Sequence, residues 1–186
     1  MDHWKFSQTA QYSDPLDKQF GIYNDVFTDG VDIHKRASAR NQYGPVLFQL
    51  PLGTLQTLPP GTNVMVTKKN PVKWSAGEPD SARYFLSLEE LSTGYQFGEF
   101  DQHVVLRTPG AILNFSSFPV TIVLDNPVRA LSNGHDAFQS AVNKLQAAAA
   151  AGGMPIVITQ RQCRSTCRCC AGHKNSYEFQ NLDAIF

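Results

Sequence analysis

The strongest hydrophobic pattern in this chain is a helical stripe that is followed at once by a strand-like run. Phe138, Val142 and Leu145 recur at helical spacing within residues 132–152, and this spacing predicts one long amphipathic helix. The apolar run at 155–159 predicts a buried strand. Because the strand follows the helix so closely, the pair favours one β-α-β unit within the sheet.

Further apolar runs, bounded by turns that contain Gly or Pro, predict the other strands. They cover residues 46–50, 63–67, 100–106, 111–115 and 120–124. Strands and helices do not alternate strictly along the chain. The order therefore predicts an α+β fold, a single compact domain with a mixed, mostly antiparallel sheet of five or six strands and two or three helices.

A second, shorter helix is predicted because four apolar side chains would share one helical face. They are Tyr84, Phe85, Leu88 and Leu91, within residues 81–91. The long helix is expected to begin at a cap formed by Ser132 or Asn133. Residues 1–20 are polar and aromatic, and we expect them to form an extended N-terminal arm before a domain that covers residues 21–186.

Composition narrows the class of protein. The 186 residues are 42% hydrophobic and carry 16 basic and 16 acidic side chains, so the formal net charge is zero. A dedicated nucleic-acid-binding protein usually has a basic excess, and the balance counts against that class. No signal peptide or membrane-spanning run is apparent. We expect no membrane partner and a cytoplasmic site of action, and delivery as part of a larger secreted protein stays open.

All four cysteines fall within residues 163–170, and a histidine follows three positions later. A disulfide scaffold would instead spread its cysteines along the chain. The cluster is a set of reduced thiols, a local redox pair or part of a metal site. For the last alternative, the ligands that would surround one zinc ion are Cys163, Cys167, Cys170 and His173.

Asp101 and His103 are the best candidates for catalysis. If residues 100–106 form a strand, alternation places both side chains on one face. A carboxylate beside an imidazole holds its tautomer and increases its capacity as a general base. The alternative interpretation is an exposed polar face on an edge strand.

Arginines that could grip a phosphate or carboxylate stand at two places in the chain. Arg36 and Arg40 precede Tyr43 in a polar stretch that leads into strand 46–50, and Arg83 lies at the start of the second predicted helix. No glycine-rich nucleotide-binding motif accompanies them.

Four segments follow one another in an order similar to that of a known family. They are residues 21–26, an arginine at 36 or 40, residues 43–48, and a polar strand with Glu99 and Asp101. In this order they resemble the ADP-ribosyltransferase-like domains of bacterial toxins and effectors. The resemblance implies that Arg40 holds NAD and that Glu99 stabilises the oxocarbenium-like state as nicotinamide leaves. It also implies a macromolecular target and an immunity or carrier protein as partners.

The first expectation is a toxin- or effector-type enzyme that transfers ADP-ribose from NAD, and two other functions compete with it. A metal-independent ribonuclease toxin would use His103 as general base and would hold the scissile phosphate with Lys69, Arg83 or Arg107. A non-enzymatic module would instead bind a partner protein through the N-terminal arm and the Cys/Arg-rich segment. A pocket beside His103 would favour an enzyme over the interaction module.

Overall fold

The computed structural model describes residues 15–22, 25–32, 34, 46–107, 119–161 and 166–174. These residues fall into two compact units. The first unit takes the described residues within 32–54 and 119–174, and the second takes those within 15–31 and 55–107. The chain therefore leaves the second unit after residue 31, returns to it at residue 55, and enters the first unit again at the C-terminal side.

The secondary structure of these described ranges comprises six strands and five α-helices. The strands are β1 (Val26–Thr28), β2 (Val46–Gln49), β3 (Asn63–Val66), β4 (Val104–Arg107), β5 (Val120–Leu124) and β6 (Ile156–Gln160). The α-helices are α1 (Pro15–Phe20), α2 (Asp80–Arg83), α3 (Leu88–Gly94), α4 (Ala137–Ala151) and α5 (Arg168–Lys174). Two 3-10 helices cover Leu52–Thr57 and Pro71–Lys73.

The first unit contains a three-stranded sheet in the order β2-β5-β6. β2 is antiparallel to β5, whereas β5 and β6 are parallel. Burial alternates along β5, where Val120, Ile122 and Leu124 are buried, as expected for a strand with one face on a core. Leu145 of α4 belongs to the same core cluster. The predicted β-α-β unit is thus confirmed, with α4 as its crossover helix.

The long helix begins later than its sequence suggested. The predicted cap at Ser132 or Asn133 is wrong, because the residue that caps α4 is Asp136, whose carboxylate accepts the backbone N–H of Gln139 at 2.7 Å. The preceding residues form a turn in which Gly134 has φ of 80°. A left-handed conformation of this kind favours glycine and prevents the helix from starting earlier.

The second unit contains an antiparallel sheet in the order β1-β4-β3. The side chains of Ile22, Trp74, Tyr84 and Val105 form its core cluster. The Trp74 ring meets the Tyr84 ring nearly edge to face, with centroids 5.2 Å apart. Aromatic pairs of this geometry contribute about 0.5–1.5 kcal/mol beyond the burial of their surface.

The predicted helix over 81–91 is wrong because Tyr84 interrupts it. Tyr84 has extended backbone angles, φ −126° and ψ 153°, and forms an isolated antiparallel bridge with Thr67. Burial of the Tyr84 ring in the core outweighs the helical spacing of the apolar residues. The segment therefore divides into α2 and α3, and Ser87 caps α3 by accepting the Glu90 N–H at 3.1 Å.

The predicted α+β class is confirmed, and three details of it are corrected. The six strands form two sheets of three rather than one sheet, and five α-helices replace the two or three expected. Residues 15–20 form α1 rather than part of an extended arm. The predicted strand over 111–115 and the rest of the arm lie outside the described residues. None of the helices within the described ranges is long and apolar enough to cross a membrane.

Candidate functional site

The backbone around His103 is held by one buried hydroxyl. Thr67 is fully buried, and its Oγ1 donates to the carbonyl of Asp101 and accepts the N–H of His103, each at 2.8 Å. The N–H of Thr67 also donates to the carbonyl of His103 at 3.0 Å. These three hydrogen bonds fix residues 101–103 as a loop just before β4. The predicted strand over 100–106 therefore begins only at Val104.

The imidazole of His103 lies between an amide and a carboxylate. Its Nε2 is 3.2 Å from Nδ2 of Asn70, and its Nδ1 is 3.9 Å from Oδ2 of Asp29. An amide nitrogen only donates, so a neutral ring accepts at Nε2 and carries its proton on Nδ1, toward Asp29. The Phe27 ring meets the imidazole edge to face, with centroids 6.2 Å apart. The ring is thus held by a hydrogen bond at Nε2 and has a carboxylate on the side of Nδ1.

Asp101 has a different partner from the one that strand alternation suggested. Its Oδ2 accepts a hydrogen bond from Nζ of Lys73 at 2.6 Å, and the carboxylate beside His103 is that of Asp29. The alternation of side chains along a strand does not apply to Asp101 and His103, because both residues precede β4. Catalysis by Asp101 and His103 stays a prediction.

The turn that contains Asn70 also positions the side chains of two lysines. Asn70 caps the 3-10 helix Pro71–Lys73 by accepting the N–H of Val72 at 3.1 Å. Lys69, on one side of Asn70, forms a hydrogen-bonded salt bridge with Glu78. This hydrogen bond is the main cause that lowers the pKa of Glu78 below its usual value. The Lys73 side chain is 54% exposed. Lys73 is therefore the more available of the two ammonium groups.

Arg83 and Arg107, the two arginines of the second unit proposed as phosphate contacts, are engaged within the protein. The guanidinium of Arg83 lies 4.8 Å from the centroid of Phe20 and 5.2 Å from that of Trp74, and it donates to the carbonyl of Ser75. Arg107 forms a two-pronged pair with Asp25. That hydrogen bonding is the main cause that raises the pKa of Arg107. Both side chains thus have packing roles, and phosphate binding by either stays a prediction.

The residues expected to bind and activate NAD are only partly described. Glu99 is exposed in a turn, and its carboxylate accepts the backbone N–H of Phe100 at 3.1 Å. Arg36, Arg40 and Tyr43 lie outside the described residues. NAD binding therefore stays a prediction.

Most of the predicted zinc ligands have side chains that the structure does not describe. Cys163 lies in an undescribed stretch, as do the side chains of Cys170 and His173. Where side chains are described, no group of three or more His, Cys, Asp or Glu is placed to hold a metal ion. The Sγ of Cys167 instead lies 3.0 Å from Nε2 of His34. Zinc binding at the cluster therefore stays a prediction.

A charged network in the first unit was not predicted from the sequence. Arg161 is buried and donates to the carboxylates of Asp32 and Asp125. Asp125 and Arg161 directly follow β5 and β6. A usable signal was present, because polar residues that follow neighbouring parallel strands meet at one edge of the sheet.

No protein-family model, curated protein or solved structure matches this chain. Its function is therefore inferred from the geometry and chemistry of its own residues.

Proposed function

We propose that this chain cleaves RNA, with His103 as the general base. The observation that carries the proposal is the orientation of its imidazole, with Nε2 facing Asn70 and Nδ1 facing Asp29. A histidine with a carboxylate on the side of its far nitrogen is a common arrangement for proton abstraction from a hydroxyl. The His103 side chain is 14% exposed, so part of it is open to solvent.

In the proposed step, Nε2 of His103 takes the proton of a ribose 2′-hydroxyl, and a substrate hydroxyl replaces Asn70 as its partner. The 2′ oxygen attacks phosphorus, the bond to the 5′ oxygen breaks, and that oxygen takes a proton from water. The hydroxide that remains takes the proton from Nε2 of His103, which restores the neutral imidazole. The products are a 2′,3′-cyclic phosphate and a 5′-hydroxyl end. Asp29 stabilises the imidazolium that forms, because its charge lies 3.9 Å from Nδ1.

Lys73 supports the proposal as a source of positive charge at the same site. It reaches Asp101, two residues before His103, and follows Asn70 by three positions. Its half-exposed ammonium pairs with a carboxylate that is 23% exposed, and it can leave this pair at small cost, since ion pairs near the surface contribute only about 0–1 kcal/mol. We propose that it then neutralises the charge that develops on the phosphoryl oxygens.

The test uses a fluorescent single-stranded RNA and two matched variants. His103→Gln should lower kcat/KM by about 10²–10⁴-fold, the usual range for loss of a general base. His135→Gln, at an exposed position, should leave the rate unchanged. A 2′-deoxy nucleotide at the cleavage position should resist cleavage, whereas EDTA should not inhibit it.

Two results would count against RNA cleavage by His103. One is a His103→Gln variant that keeps its melting temperature and cleaves at the normal rate. The other is nicotinamide release from NAD that is lost in Glu99→Gln and retained in His103→Gln. That second pattern would favour ADP-ribosyl transfer, the function that the sequence resemblance implies.

A further inference from the structure

The carboxyl edge of the parallel strand pair in the first unit holds a second cluster of reactive side chains. The backbone N–H of Arg161 donates to the carbonyl of Leu124 at 2.8 Å, so the ladder extends one residue past β6. Asp125 and Arg161 therefore lie side by side at this edge. In sheets with parallel strands, this is the edge at which functional groups commonly gather.

Arg161 links this edge to the segment that carries His34. Its side chain is 6% exposed and is paired with both Asp32 and Asp125. The other oxygen of Asp32 accepts the backbone N–H of His34 at 3.0 Å. Buried charges are stable only when they are paired, so this network fixes the position of His34.

His34 in turn contacts a thiol. Its Nε2 lies 3.0 Å from the Sγ of Cys167, a distance over which the thiol can pass its proton to the imidazole. A thiol next to a base that can take its proton is the pairing found in activated cysteine nucleophiles. Cys167 is partly exposed, whereas Cys169 is fully buried. Of these two thiols, only Cys167 is open to a small reagent from solution.

We propose that Cys167 is an imidazole-activated thiol that hydroperoxides oxidise to a sulfenic acid. The Cys167 proton moves to Nε2 of His34, and the thiolate attacks one peroxide oxygen. The S–O bond forms and the O–O bond breaks, so the sulfur is oxidised by two electrons and the peroxide is reduced. The departing alkoxide, or hydroxide when the reagent is hydrogen peroxide, takes the proton from His34 and leaves as an alcohol or as water.

The neighbouring sequence suits such chemistry. Redox-sensitive cysteines are accessible, carry thiolate character and often stand beside further thiols. Three other cysteines stand within the same eight residues, 163–170. Trypsin cleavage after Arg164 and Arg168 would release Cys167 in a peptide without any of them, so its reaction can be followed separately from theirs.

The first experiment measures alkylation of Cys167 by iodoacetamide at pH 7, in the reduced full chain, in buffer and in urea. An ordinary thiol with a pKa of about 8.5 is only about 3% ionised at this pH. Allowing for the lower intrinsic nucleophilicity of a stabilised thiolate, we expect folded Cys167 to react about three- to fourfold faster than in the unfolded chain. A folded rate below the unfolded rate is expected of a merely half-buried thiol and would overturn the proposal.

The second experiment adds hydrogen peroxide and traps sulfenic acid with dimedone before digestion. The Cys167 peptide should carry the adduct in the native chain and in His135→Gln, and should lose most of it in His34→Gln. Equal trapping in His34→Gln and the native chain would exclude activation by the imidazole. Rapid alkylation without any dimedone adduct would exclude hydroperoxides as the reagent.

Discussion

Loss of the cation from the ion pair between Asp25 and Arg107 should strongly destabilise the second unit. The Asp25 side chain is 2% exposed, whereas that of Arg107 is 41% exposed. Nε of Arg107 lies 3.0 and 3.1 Å from the two carboxylate oxygens, and Nη2 lies 2.7 Å from one of them. Arg107→Met keeps much of the side-chain volume and leaves the Asp25 carboxylate buried without its cation.

The expected cost follows from that burial. Removal of one partner from a fully buried pair costs about 3–5 kcal/mol. Because the guanidinium is partly exposed, water can replace some of its contacts, and we expect about 2–4 kcal/mol for Arg107→Met. With a urea dependence of about 2 kcal/mol/M, the unfolding midpoint should fall by about 1–2 M.

Tryptophan fluorescence in urea provides the assay. Trp74 lies in the core of the second unit, and a Trp4→Phe background removes the other of the two tryptophans. Lys73→Met is the matched control. The Lys73 side chain is 54% exposed and its partner Asp101 is 23% exposed, so this loss should cost at most about 1 kcal/mol.

The double variant Asp25→Asn/Arg107→Met separates the buried charge from lost packing. It should regain part of the stability lost in Arg107→Met, because the neutral amide needs no counter-ion. Equal midpoint shifts in Arg107→Met and Lys73→Met would refute the argument from burial.

Two further outcomes test the pH dependence of the second unit and the start of α4. Burial is the main cause that raises the pKa of Tyr84. The stability contributed by the neutral Tyr84 side chain should therefore be complete below about pH 10 and be lost as pH rises through the pKa of the folded state. Alkaline urea titrations should show this loss in the native chain and a weaker one in Tyr84→Phe, and identical curves would contradict it. Asp136→Ala should lower the free energy of unfolding by about 1 kcal/mol, whereas Ser132→Ala should have no such effect. The opposite ranking in urea melts would return the cap to Ser132.

Sequence patterns predicted the fold best where local and tertiary preferences agree. Four of the strands expected from apolar runs, β2, β3, β5 and β6, form within one residue or so of their predicted bounds. The β-α-β unit was predictable because α4 shows a continuous helical stripe. The helix over 81–91 was not, because the bridge between Tyr84 and Thr67 joins the segment to β3 through tertiary contacts, and helical spacing carries no information about them.

The candidate sites show the same limit. His103 was singled out from its own neighbourhood, but its partners could not be, since Asn70 and Asp29 are distant in sequence. The contact between His34 and Cys167 joins residues 133 positions apart, so no spacing rule connects them. The sequence did show where Asp125 and Arg161 stand, because each directly follows a strand of one parallel pair. A polar residue directly after a predicted parallel strand is therefore a better starting point for locating a site in this chain than the cysteine cluster itself.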